Sequence, residues 1–171
     1  AKIIRDEIIS SQTISSQANS SSITAFLTRE FDVDLSLADR VKMACEYDSD
    51  LFISVHHNAI PDDQNPLEHR GISVHYYYDE NIPLAEEILI SLTKATQLPS
   101  AGIIKQDLHV LRENTRMPAL LIEFGYLIHP LESEIISTLE FQKQAADASE
   151  TKNPPNQSEA PWDSVAGLEK A

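Results

Sequence analysis

The sequence predicts a three-layer α/β/α domain, with helices on both faces of a mostly parallel or mixed sheet. Three observations carry this reading. Two short runs, 51–55 (LFISV) and 118–124 (PALLIEF), are almost wholly apolar, as strands covered on both faces are. Strand-like segments alternate with segments of helical period along the chain. The 171 residues are enough for one domain that buries its own core without a disulfide or a metal.

The elements follow in order. Ile3, Ile4, Ile8 and Ile9 are spaced for one buried face of a helix over residues 1–9. A Ser-rich polar stretch to Ser22 reads as a loop, and 23–27 (ITAFL) as a short strand. Leu35, Leu37, Ala38, Val41, Ala44 and Cys45 fall on one side of a helix over about 36–47. The apolar strand 51–55 runs into His56, His57 and Asn58, and an acidic, Pro-bearing loop covers 60–70. Residues 71–78 (GISVHYYY), rich in β-branched and aromatic side chains, predict a strand. A helix over 82–96 takes Pro83 in its first turn. Residues 107–111 (DLHVL) read as a short strand and 118–124 as the second buried one. A helix from 130 to about 144 places Glu132 and Glu134 at its positive N-terminal end. Beyond Ala145 the chain turns to Ser, Pro, Glu and Asn with no apolar period. The domain therefore spans 1–144, and 145–171 is expected to be a disordered tail or linker in which Trp162 is incidental.

Composition narrows the function. With 27 acidic against 13 basic residues the net charge is -14, which repels phosphate backbones and anionic surfaces, so no nucleic-acid partner is expected. No apolar run approaches the roughly 20 residues of a membrane helix, so no membrane insertion is expected either. A single cysteine, Cys45, allows no intrachain disulfide. The opening AKIIRDEII shows no basic region followed by an apolar stretch and reads as the inside of a helix, hence as a domain whose first strand lies upstream.

In open α/β sheets, sites form beyond the carboxyl ends of the strands. His56 and Glu123 stand there, each breaking an apolar run. A carboxylate so placed costs several kcal/mol, on the order of magnitude for buried charge, unless a cation or a donor compensates. Alone, each has a plain structural reading: a hydrogen-bonded histidine, or a cap or ion-pair glutamate. No HExxH, CxxC, Gly-rich phosphate loop or GxSxG elbow occurs. The residues themselves give an α/β domain with a possible His/Glu site.

The surrounding strings add to this. DLFISVHHNA, RGISVHYYY and LHVLRENTRMPALLIEFGYLIHPLESEII, in this order, with LTRE and LSLADR upstream, resemble the zinc-dependent N-acetylmuramoyl-L-alanine amidases of bacterial cell walls over about residues 1–143. The resemblance implies zinc as cofactor, His56 as a zinc ligand and Glu123 as the catalytic carboxylate. Asn58 and Arg112 match positions near the cleft and are candidates for substrate contact. His57 is read as a neighbour and not a ligand, and Arg29 and Arg40 as serving the fold. The family's Asp-x-Gly-His-Gly segment and the Glu that opens the next helix, its other two ligands, have no counterpart here. Glu7 lies too far into its helix to match and is read as a surface residue. His75 and Glu7 come into question as ligands only if this chain binds zinc tightly by itself.

The implied reaction is hydrolysis of the amide between N-acetylmuramic acid and L-alanine, with Glu123 as general base and then general acid. The implied partners are peptidoglycan and a cell-wall-binding or regulatory protein, and the implied place is the periplasm or the cell exterior. The short stretch from Ala59 to Arg70 leaves no room for a long regulatory helix, so an open cleft is expected. Two other readings stand beside the enzyme: a catalytically inactive peptidoglycan-binding or regulatory module of the same fold, and a different α/β metallohydrolase acting on plain peptides.

Overall fold

The computed structural model describes residues 24–61 and 63–149. The helix expected over 1–9, the Ser-rich loop and most of the tail lie outside them. Among the described residues four strands, β1 (Phe52–Asn58), β2 (Ile72–Tyr76), β3 (Ser100–Lys105) and β4 (Ala119–Tyr126), form one sheet in the order β1-β4-β2-β3. β1 lies parallel to β4 and β2 parallel to β3, while β2 and β4 are antiparallel. The sheet is mixed, as expected.

Among the described residues five α-helices cover it: α1 (Leu37–Glu46), α2 (Ile82–Thr96), α3 (His109–Arg112), α4 (Pro130–Ile136) and α5 (Leu139–Ser149). Period-two alternation along β4 sorts them into layers. Leu120, Ile122 and Phe124 join Ile72 and Val74 in a core closed by Ile88 and Leu92 of α2, Ile136 of α4 and Phe141 of α5. Ala119 and Leu121 turn the other way, to Phe52, Val110, Leu111, Met117 and Ala44 of α1. Each fully buried aliphatic side chain contributes about 1.5–3 kcal/mol from removal of apolar surface from water, and the two cores fix β4 from both faces.

Several elements fall where expected. The helix over 82–96 is α2 to the residue. α1 starts after Ser36, whose Oγ accepts from Asp39 N at 3.1 Å as its N-cap.

Others differ, each for a physical reason. Residues 24–27 form no strand; Phe26 is 57% exposed and stacks on Tyr47, ring centroids 4.5 Å apart. On α1 the expected apolar face is only partly used, since Leu37 and Ala38 are exposed. The 51–55 run packs on both faces, Ile53 and Val55 against one core and Phe52 in the other, but is only partly buried, since among the described residues β1 is an edge strand paired only with β4. Residues 107–111 form no strand. Val110 and Leu111 are buried by the single turn α3, and the strand before it is β3, an outer strand exposed along most of its length and so without a readable apolar period. The helix expected over 130–144 is two helices, because Thr138 interrupts it: its N–H donates to Ile135 O (3.0 Å) and its Oγ1 accepts from Phe141 N (3.2 Å), starting α5.

Candidate active site

β1 and β4 carry the site. His56 and Glu123 are register partners in the parallel pair, so both side chains leave the face that α1 and α3 cover. On the far side of β4, Ser73 is the register partner of Glu123 and His75 of Leu121. Two adjacent rows thus cross this face, a wholly polar one of His56, Glu123 and Ser73, and one in which Ser54 and His75 flank Leu121.

Glu123 is the electrostatic centre of the polar row. Its Oε2 is buried and has no hydrogen-bond partner among the described residues. Burial alone pushes the carboxyl from its ordinary 4.5 to about 7. His56 moves the opposite way: burial first, then the positive charge of Arg40, hold its imidazole below the ordinary value. A neutral ring is the form that offers a lone pair to a metal. Its Nε2 lies 2.9 Å from Ser54 Oγ, and a bond at one ring nitrogen is how ligating histidines are oriented.

The remaining sequence candidates are dispersed. His57 points to the opposite face, with Nδ1 3.3 Å from Phe124 O and its ring edge-on to Phe124. Asn58 ends β1 opposite Tyr126, its Oδ1 accepting from Ala59 N (2.9 Å) and its carbonyl from Leu127 N (3.2 Å), which puts it on the rim. Arg112 lies on α3, its guanidinium held by Asp107 and Glu113 and its carbonyl accepting from Tyr78 Oη at 2.8 Å. Among the described residues no hydrogen bond or ion pair joins it to His56 or Glu123. Arg29 does serve the fold, donating to Val33 O at 3.1 Å. Arg40 differs: its charge reaches His56, and so it belongs to the surroundings of the site. Both ring nitrogens of His75 are taken, Nε2 by Ser73 Oγ (3.0 Å) and Nδ1 by Gln106 Oε1 (2.6 Å).

Sequence reasoning missed the supporting residues, although one signal was available. The tetrapeptide Ile-Ser-Val-His occurs twice, at 53–56 and 72–75, on the two strands that flank β4. Glu132, read as a helix-end carboxylate, is a fully buried clamp. Its Oε1 accepts from Gly71 N (2.8 Å) and Arg70 Nε (3.3 Å), and its Oε2 from Tyr126 N (2.9 Å). It joins the start of β2 to the end of β4, just beyond Glu123.

Comparison with known proteins decides the family. The sequence profile of the N-acetylmuramoyl-L-alanine amidases matches residues 7–151. The chain belongs to this amidase family. A probable cell wall amidase, LytH of Staphylococcus saprophyticus, is 31% identical over 114 residues, which cover 67% of this chain and 36% of the relative. The chain thus spans about a third of the length of that relative. Among solved structures, the amidase AmiC2 of Nostoc punctiforme superposes with a TM-score of 0.73 at 27% identity, over 86% of this chain and 76% of that one. The catalytic domain of CwlV from Bacillus (Paenibacillus) polymyxa var. colistinus gives 0.70 at 27% identity, over 85% and 76%. The amidase-family chain holds, among the described residues, no group of three His, Cys, Asp or Glu side chains placed to bind a metal. None of its described helices is long and apolar enough to cross a membrane.

Proposed function

We infer that this chain hydrolyses the amide bond between N-acetylmuramic acid and L-alanine in peptidoglycan, in the cell envelope, with zinc as cofactor. The observation that carries the reading is Glu123: a carboxyl with an unpartnered buried oxygen, held beside a neutral imidazole at the end of two adjacent strands. Family membership supports the substrate and the metal.

The donor chemistry fits zinc in part. His56 would be one ligand through a ring nitrogen, and Glu123, its register partner, stands on the same face of the sheet. Zinc when bound supplies Lewis acidity, polarising a carbonyl and acidifying water. A catalytic zinc takes three protein ligands, and the described residues contribute His56. The rest is the work of this chain's own groups. Glu123, with its carboxyl near neutrality, takes the proton of the attacking water on its carboxylate and returns it to the leaving alanine nitrogen. Ser54 orients the His56 ring. Asn58, on the rim, is the candidate for substrate contact; Arg112, tied to Asp107 and Glu113, would contact substrate only by giving up one of these ion pairs.

The test is incubation of the chain with purified peptidoglycan and zinc, following new alanine amino termini while zinc affinity is measured by calorimetry. Zinc-dependent release of alanine termini is expected. Retention of peptidoglycan without any release, at every zinc concentration, would favour the second reading, a non-catalytic peptidoglycan-binding module, which the small donor set among the described residues supports. Cleavage of plain peptides with the lactyl amide spared would indicate a different metallohydrolase. A cell-wall-binding or regulatory protein partner is a further expectation, supported by family resemblance alone.

A further inference from the structure

The two Ile-Ser-Val-His copies make the same local bond. Ser54 Oγ lies 2.9 Å from His56 Nε2, and Ser73 Oγ lies 3.0 Å from His75 Nε2. Their strands run in opposite directions past β4, so Glu123 is flanked by the histidine of one copy and the serine of the other. The β1 copy is open to solvent at His56. The β2 copy is enclosed, with Ser73 1% and His75 7% exposed, and Gln106 closes it at the end of β3. Gln106 is itself anchored, its backbone N–H donating to Tyr76 O at 2.9 Å.

Donor and acceptor roles run in one direction through this chain. The Gln106 carbonyl oxygen can only accept, so His75 Nδ1 carries the ring hydrogen. Nε2 is then a lone pair, and the Ser73 hydroxyl donates to it. A serine has one hydrogen. With that hydrogen committed to His75, Ser73 turns only lone pairs toward the carboxylate directly opposite, where side chains of paired residues stand about 4.5–5.5 Å apart at Cβ. The unpartnered Glu123 Oε2 fits this arrangement.

We propose that His75, held by Gln106, is a positioning residue for Glu123, acting through Ser73: it keeps the Ser73 hydroxyl from donating to the carboxylate. The proposal rests on the reading of Glu123 as general base. A base that must take a proton from water is weakened by any donor occupying its lone pairs. A Ser73 oxygen facing it as an acceptor leaves them free, and accepts from the carboxyl once the proton has moved.

The experiment has two arms. Ring-nitrogen NMR of the metal-free full chain at neutral pH should show His75 neutral, with its hydrogen on Nδ1, and Gln106→Leu should abolish that single tautomer. Gln106 is exposed, so this variant spares the core. In zinc-supported hydrolysis, Gln106→Leu should lower kcat about 10-fold with KM unchanged, the loss of roughly one hydrogen bond's discrimination. Adding Ser73→Ala, which removes the misdirected donor, should restore kcat to within a few-fold. A packing role for Gln106 or His75 predicts no such rescue, so a double variant as slow as Gln106→Leu overturns the proposal. His75 carrying its hydrogen on Nε2 overturns it whatever the activity. A wild-type chain without hydrolysis sinks the amidase reading instead, and the NMR arm still judges the hydrogen-bond chain.

Discussion

His56 and Glu123 are register partners on two parallel strands, so their side chains stand together although 67 positions separate them in sequence. The roles proposed for them differ and predict different variants. Replacing His56, the proposed ligand, with Ala should lower zinc affinity at least about 10-fold, with activity falling alongside. Replacing Glu123 with Gln keeps the shape of the side chain and removes the proposed base. Hydrolysis should drop by about 100-fold or more, in the range for general acid–base groups, while zinc affinity stays within a few-fold. Calorimetry and an alanine-release assay on the same preparations separate the two. Glu123→Gln with wild-type turnover would remove Glu123 from the mechanism.

The raised Glu123 carboxyl also makes a statement about stability in the metal-free protein. Folding lifts this group from 4.5 to about 7, so the folded state binds the proton more tightly. The stabilisation is complete below pH 4.5 and is lost as pH rises from there through about 7. His56, His57 and His75, all depressed mainly by burial, work the other way: their stabilisation is present above pH 6.5 and is lost as pH falls through their lowered values. A difference measurement isolates the glutamate. Glu123→Gln should match wild type near pH 4.5 and exceed it by about 2 kcal/mol near pH 8, after discounting for solvent at its open side. Urea unfolding across that range reads the difference, and a gap that does not change with pH would contradict the burial argument.

The sequence made the two strands that carry the site legible, and for one reason. A polar residue ending an apolar run stands out, and both His56 and Glu123 do so. Helix α2 was equally plain, because Ile88, Leu89 and Leu92 repeat at helical spacing on one buried face. What stayed hidden lacked a local signature. β3 is exposed along an outer edge and shows no alternation. α3 is one turn whose two buried residues look like a strand. Glu132 could not be read as a clamp, because its three donors come from Arg70, Gly71 and Tyr126, two of them about 60 residues away. The Ser73–His75–Gln106 chain needed the crossover that brings β3 beside β2.

That clamp predicts a large stability effect away from the chemistry. Glu132→Ala leaves the backbone N–H groups of Gly71 and Tyr126 without their acceptor, and Arg70 without its partner. Unmade buried hydrogen bonds cost about 1–3 kcal/mol each, and loss of the pair with Arg70, whose side chain is 43% exposed, costs less than the roughly 3–5 kcal/mol of a fully buried pair. A loss of about 3–5 kcal/mol is expected in urea unfolding. Glu132→Gln keeps one acceptor oxygen and should lose less. An alanine variant within about 1 kcal/mol of wild type would show that the clamp is redundant.

The entry to β2 supplies the last prediction. Gly71 has φ +99°, and a Cβ there would lie 2.2 Å from the carbonyl oxygen of Pro99, the same oxygen that accepts from Ile72 N at 2.9 Å. Alanine at this position is strained by its backbone and by a backbone atom that cannot move without releasing β3 from β2. Gly102 is the matched control: its φ is +94°, yet a Cβ would meet nothing within 4 Å. Gly102→Ala should therefore cost only the conformational strain, about 1–3 kcal/mol. Gly71→Ala should cost more by at least about 1–2 kcal/mol, in the range for overpacking. Thermal or urea unfolding of the pair tests this directly. Equal losses would mean that β3 gives way at Pro99 more easily than its hydrogen bond to Ile72 implies.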